Sequence, residues 1–370
     1  MIRVLLLIPT LDQSGAEKQL TLLATHLPAS EFQIQVVALT RGGPYAANLE
    51  QHGIPLTIIG KRWKLDPFAF RRLRQILDEW KPQILHTWLF AANAYGRILA
   101  GRNPRMKVLV SERCVDSWKS GWQLRLDRWL IPRTTRLIGN SQSVAEFYHG
   151  QGVPAEKTVV IPNGIEVGPA PARESPDRAR IRSQILQVPL DAPVIGCVGR
   201  LARQKRVEDL IWAFELFRCI REDAYFVIAG EGPERDRLMQ FARDVRVEHR
   251  IRFLGHTPNI SEIWAGLDVF WLASDFEGLS NSLMEAMAAG LPVVASDIPP
   301  NRELVTHEQT GLLVPVGDRV QFAKCTERLF TDPELASRLG SAARERMREH
   351  FSIENMVDAY ARLYREVLGC

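Results

Sequence analysis

The chain reads as an α/β protein built from two doubly wound parallel-sheet domains, and three observations carry that reading. Short apolar runs alternate with helical patterns, as they do in a parallel sheet covered by its crossover helices. The second half repeats one strand–loop–helix unit. At 370 residues the chain exceeds what one ordinary core supports and suits two.

In the first half, residues 4–8 form the opening strand, followed by loop 9–18 and a helix turning Leu20, Leu22, Leu23 and Leu27 inward. Ser14-Gly15 stands at that helix start. A glycine there lets a ligand approach the backbone amides, where phosphate is favoured; an N-cap and a turn are the plainer reading. Further strands fall at 34–39, 56–59, 84–86, 108–111, 136–139 and 159–164. Strand 84–86 ends on His86, at the carboxyl edge where open α/β sheets bind ligands, although a lone histidine is more often structural. Ser111-Glu112-Arg113 closes the next strand in the same way.

Three prolines between Glu166 and Pro176 mark a linker. The expected division is a first domain over 1–165, a linker region over 166–190 and a second domain over 191–351. In the second domain, strands at 194–199, 225–229 and 251–254 precede the loops that hold Arg200 to Arg206, Gly230 to Pro233, and Gly255 with His256. Gly230-x-Gly232 opens like a dinucleotide fingerprint, but Arg235 stands where its third glycine belongs, so it reads as a tight turn.

The most informative stretch is 271–296. A buried strand ends at Ala273, Asp275, Glu277 and Gly278 break it, and helix formers run over 281–289. Gly290 and Pro292 stop that helix, and strand 293–295 follows. Glu277 and Glu285 are eight residues apart, with the amides of Leu279 to Ser282 between them at a helix start of partial positive charge. Each carboxylate has a plain alternative. Ser282-x-x-Glu285 fits a capping box, and Glu277 could be a surface residue. Arg200 and Lys205 flank a loop at a neighbouring strand end and suit phosphate. Lys205 and Lys324 are the only lysines among the 26 basic residues after Lys157.

Charge is uneven. Residues 1–165 hold 21 Lys and Arg against 12 Asp and Glu, a net +9, and residues 166–370 hold 26 against 31, a net −5. A basic first half suggests a phosphate-bearing substrate or an anionic membrane surface. Residues 61–74 and 118–129 mix arginine, lysine and tryptophan. Such helices can lie in a membrane interface, while ordinary surface helices are the commoner case. Five scattered cysteines without Cys-x-x-Cys indicate neither a disulfide framework nor a zinc site. No window approaches a membrane span and the apolar run 4–8 is too short for a signal sequence. The expected setting is cytoplasmic, with possible peripheral contact at the anionic inner face of the cytoplasmic membrane. Nucleic-acid binding finds no recognised module.

Glu277-x7-Glu285 resembles the Glu-x7-Glu signature of the family 4 retaining glycosyltransferases with the GT-B fold. The resemblance spans the chain through Ser14-Gly15-Ala16-Glu17, Ile84-Leu85-His86-Thr87, Asn140-Ser141, Ile161 to Ile165, Val198 to Leu201 with Lys205, and Ala229 to Pro233. It implies two Rossmann-like domains facing across a cleft, with the final helix, 352–370, packing back on the first. Arg200 and Lys205, with Gly199, would bind the diphosphate of a nucleotide-sugar donor, and Gly15 would approach it from the other domain. Glu277 and the amides of Gly278, Leu279, Ser280 and Asn281 would hold the sugar. Glu285 would hold the ribose, and the edge from Gly255 through His256 to Ile260 the base. His86 would sit near the reacting carbon. Glu277, His86, Arg200 and Lys205 would form the catalytic set, with no metal or other cofactor. The implied reaction is sugar transfer to a glycan or lipid-linked acceptor with retention, in cell-surface polysaccharide or glycolipid synthesis. Two departures stand out: Ser14-Gly15 replaces a frequent Gly-Gly, and Pro299-Pro300 replaces another, leaving Glu303 without an assigned role. Two alternatives stay open, a nucleotide-sugar epimerase of related fold and a non-catalytic membrane-docking or partner-binding protein.

Overall fold

The computed structural model describes residues 1–101, 105–115, 119–168, 176–257 and 260–369. They form two compact units, one of residues 1–164 with 353–370 and one of residues 165–352.

The first unit carries a seven-stranded sheet: β1 (Ile2–Thr10), β2 (Phe32–Arg41), β3 (Leu56–Ile58), β4 (Ile84–Trp88), β5 (Lys107–Glu112), β6 (Arg136–Gly139) and β7 (Thr158–Val160). The spatial order is β3-β2-β1-β4-β5-β6-β7, and every pairing is parallel. Alternate side chains of β1 feed two cores, Val4, Leu6 and Ile8 on one face and Leu5 and Leu7 on the other, as a period of two requires. Helix Ile353–Leu368 joins the first of these cores through Met356, Val357, Tyr360, Leu363 and Tyr364.

The second unit holds β8 (Val194–Val198), β9 (Tyr225–Ala229), β10 (Ile251–Gly255), β11 (Val269–Leu272), β12 (Val293–Ser296) and β13 (Leu312–Val314). Their order is β10-β9-β8-β11-β12-β13, again all parallel. Both sheets are doubly wound, the α/β class that the alternation predicts.

In the region expected as a linker, residues 178–186 already suggest a helix by sequence, and the second half is helical. Residues 169–175, with two of its three prolines, lie outside the described residues. From Pro176 the chain is helical, through Arg180 and then a π-helical turn, Ile181–Leu186, and Ile181, Leu186 and Val188 are buried in the second unit's core. Arg178 and Arg182 both grip Asp268, at 2.5 and 2.7 Å. A partner 86 residues away in sequence gives this amphipathic piece its place.

Candidate active site

Each sheet reverses its strand order once, and such reversals are where open α/β sheets bind ligands, beyond the carboxyl ends of the strands. In the second unit the reversal lies between β8 and β11. The loops that leave these strands, 199–206 and 273–280, are tied to each other. Asp275 N donates to Gln204 O at 2.9 Å, and Gln204 Nε2 to Phe276 O at 2.6 Å. Arg206 reaches Asp275 at 3.0 Å and Asp209 at 2.6 Å.

Across that reversal Lys205 Nζ donates to Glu277 Oε1, and Ser274 Oγ donates to the same oxygen at 2.6 Å. Glu277 is only 7% exposed. A carboxylate so far from water needs a cation and hydrogen-bond donors, and these two neighbours supply them. Glu277 is therefore not the plain surface residue of the alternative reading.

A second layer holds this arrangement. Ser296 Oγ, at the end of β12, donates to Ser274 O at 2.7 Å. Asn301 Nδ2 donates to Ser296 O at 2.8 Å. Ser274, Ser296 and Asn301 are fully buried. The sequence reading missed all three. The one signal for the two serines is that β11 and β12 are both followed or closed by the same dipeptide, Ala273-Ser274 and Ala295-Ser296.

The helix after Glu277 runs over Asn281–Ala288, with Ser280 as its N-cap and no side-chain oxygen capping it. Ser282 thus lies inside the first turn and the capping-box alternative does not apply. Gly278, Leu279 and Ser280 are buried, and Asn281 and Glu285 are half-buried. Gly199 has φ +152° and Gly230 φ +138°. A Cβ on Gly230 would stand 2.0 Å from Gly199 O, so only glycine lets turn 230–233 lie against the loop that carries Arg200. That contact is the job of the Gly-x-Gly pair. Arg200 itself is exposed, as is His256, and Ile260 is half-buried at the start of helix Ile260–Gly266. Residues 258–259, part of the expected base-binding edge, lie outside the described residues.

In the first unit the reversal lies between β1 and β4. Gly15 is exposed and opens helix Gly15–His26. Ser14 occupies the N-cap position without capping a backbone amide. Its hydroxyl and that of Thr10 go instead to the Glu17 carboxylate, whose burial raises its pKa.

His86 requires a correction. It is not at the strand end but two residues inside it, since β4 continues to Trp88. Its ring is fully buried, with Nδ1 2.7 Å from Tyr364 Oη and Nε2 2.8 Å from Ser111 Oγ. Burial, reinforced by the Arg113 guanidinium, holds its pKa well below the ordinary histidine value. A neutral ring with both nitrogens occupied is a structural group that ties β4 and β5 to the final helix. Among the described residues no group of three or more His, Cys, Asp or Glu is placed to hold a metal ion.

Comparison with known proteins accords with this architecture. Residues 13–168 match the family described as Glycosyltransferase Family 4, and residues 179–346 that described as Glycosyl transferases group 1. The UDP-Gal:alpha-D-GlcNAc-diphosphoundecaprenol alpha-1,3-galactosyltransferase of Escherichia coli is 30% identical over 315 residues, covering 80% of this chain and 78% of its own. The N-acetyl-alpha-D-glucosaminyl L-malate synthase of Bacillus anthracis is 34% identical over 172 residues, 46% of this chain and 45% of its own. Several curated relatives are matched over only about half of their own length. Anabaena Alr3699/HepE, solved in complex with UDP-glucose, has the same fold, with a TM-score of 0.89 at 24% identity over 99% of this chain and 100% of that one. Two parallel-sheet Rossmann-like units of the GT-B kind define the class. The chain belongs to the glycosyltransferases, with a family 4 domain followed by a group 1 domain.

Proposed function

We propose that the protein transfers a sugar from a nucleoside-diphosphate sugar to a glycan or lipid-linked acceptor with retention of anomeric configuration, in cell-surface polysaccharide or glycolipid synthesis. The observation that carries this reading is the Lys205–Glu277 pair spanning the strand reversal of the second unit. A sugar hydroxyl donates well to a buried carboxylate, and an ammonium and a guanidinium stabilise the charge that grows on a departing diphosphate. Lys205 and Arg200 take the diphosphate, beside Gly199. Glu277 and the amides of Gly278 to Asn281 hold the sugar, and Glu285 takes the ribose. His256 and Ile260 border the base. His86 is left out of the reacting set, because its ring is fully buried with both nitrogens engaged by Tyr364 and Ser111. Departure of the diphosphate from the anomeric carbon and attack by an acceptor hydroxyl on the same face give retention, with the leaving phosphate oxygen accepting the hydroxyl proton. No cofactor enters this scheme.

UDP-sugars are the first donors to try, because the HepE structures contain UDP and UDP-glucose. The name of the E. coli relative, a transferase acting on a diphosphoundecaprenol-linked sugar, favours a lipid-linked acceptor. Thermal shifts against UDP-, GDP- and ADP-sugars test the donor class, and a stabilising shift with one of them is expected. No shift with any would defeat the reading. Formation of a new nucleotide sugar without acceptor would move the chain to the epimerases.

A further inference from the structure

The first unit turns aromatic and basic side chains outward at the carboxyl edge of its own sheet. Helices Pro67–Trp80, Leu89–Ala100 and Gly121–Leu130 follow β3, β4 and β5. A crossover helix runs back against its strand, so each of them begins at that edge. Trp63, Leu65 and Phe68 lie at the start of the first helix and Trp122 at the start of the third, and they are 57, 77, 68 and 55% exposed.

These side chains belong to one neighbourhood because helix Leu89–Ala100 touches both groups. Tyr95 stacks on Phe70 with ring centres 3.9 Å apart, and its hydroxyl accepts from Asp66 N at 2.8 Å. Phe90 meets the Trp122 ring edge-on at 5.8 Å. Phe90 and Tyr95 are about 7.5 Å apart along the helix axis and about 140° apart around it, so the two groups flank this helix on either side.

The charges are sorted in the same sense. Arg62, Lys64, Arg71 and Arg125 are exposed. Arg71 follows Phe68, and Arg125 follows Trp122, at the three-residue spacing that shares a helix face. The acids nearest these aromatic groups, Asp66 and Asp127, point inward. Asp66, 3% exposed, accepts from Phe68 N and Ala69 N at 3.0 and 3.1 Å. Asp127, 7% exposed, is paired with Arg97 and Lys119. The exposed acids of helix Pro67–Trp80, Asp78 and Glu79, lie at its far end. Large apolar side chains at the edge of a basic surface suit a bilayer interface, where aromatic rings sit at headgroup level and cations meet anionic lipid.

We propose that the carboxyl edge of this sheet docks on an anionic bilayer, seating Trp63, Leu65, Phe68 and Trp122 at the headgroup boundary. The inference stands on the first unit alone and is independent of the donor site.

The test is co-sedimentation of the full chain with vesicles of phosphatidylcholine, with and without phosphatidylglycerol, while tryptophan emission is followed. Binding should be at least about tenfold tighter to the anionic vesicles and weaken with salt. A blue shift of the emission should accompany it and shrink in Trp63→Phe/Trp122→Phe. Arg62→Glu/Lys64→Glu/Arg71→Glu should lower binding by at least about tenfold, with an unchanged circular dichroism spectrum and melting temperature as the sign of intact folding. Absence of binding to anionic vesicles overturns the proposal, as does binding that survives the charge reversal. Binding to heparin without any emission shift on vesicles also overturns it, assigning the face to an acidic macromolecule.

Discussion

The two sheets reverse their strand order in the same way, yet the residues beside the two reversals differ in kind. At β8/β11 in the second unit, loops of opposite charge meet: Lys205, Arg206, Asp275 and Glu277 lie within one hydrogen-bonded set. At β1/β4 in the first unit the strand side chains are sealed. His86 is closed in by Tyr364 and Ser111, and Arg113 lies over the buried Trp88 ring at 4.7 Å. One topology thus builds a charged, hydrogen-bonded edge in one unit and a packed polar core in the other. Fold places an edge, and loop chemistry decides what the edge can do.

The largest effects are expected where the comparison is sharpest. Lys205→Ala should lower sugar transfer by about 10²–10³-fold, the usual loss on removing one group that stabilises developing charge, and Glu277→Ala, which loses the hold on the sugar, by about 10²-fold. Circular dichroism should show both variants folded. Transfer at the wild-type rate in either would remove the functional distinction between the two edges.

A smaller effect is expected one layer back. Ser296→Ala leaves the carbonyl of Ser274 without the hydroxyl it accepts from, a loss of about 1–3 kcal/mol for a buried acceptor. Urea denaturation should show that loss. Donor affinity should fall in the same variant, because Ser274 also holds Glu277. A variant as unstable as expected but with unchanged donor affinity would make Ser296 a packing residue only.

The smallest catalytic effect is expected at His86. His86→Phe strands the hydroxyls of Ser111 and Tyr364, and should cost about 1–3 kcal/mol of stability. Transfer per folded molecule should stay within a few-fold of the wild type. The pH dependence follows from the lowered pKa. The unfolded chain takes up a proton at this histidine below about pH 6.5 and the folded chain does not. The stability contribution is therefore complete above that pH and is lost as pH falls toward the depressed folded value. His86→Phe should flatten this part of the curve. A variant that loses transfer by orders of magnitude while folded would return His86 to the reacting set.

The sequence showed the strands well, because short apolar runs between turn signals need no distant partner to be recognised. It also showed Glu277, Lys205 and the helix behind them, since loop position relative to strand ends is a local property. It did not show what depends on distant contacts. Tyr364, which engages His86, lies 278 residues away in sequence. Ser296 lies 22 residues from Ser274, and Asp268 anchors the segment expected as linker from 86 residues off. The histidine looked like a site residue because its strand was read two residues short, which put an interior ring at the edge.

Isothermal titration of UDP and of the matching UDP-sugar into the wild type, Lys205→Ala and Glu277→Ala tests the central claim most directly. If Lys205 holds the diphosphate and Glu277 the sugar, Lys205→Ala weakens both ligands, whereas Glu277→Ala weakens the UDP-sugar and leaves UDP nearly unchanged. Unchanged affinity for both ligands in both variants would contradict the assignment of this edge as the donor site.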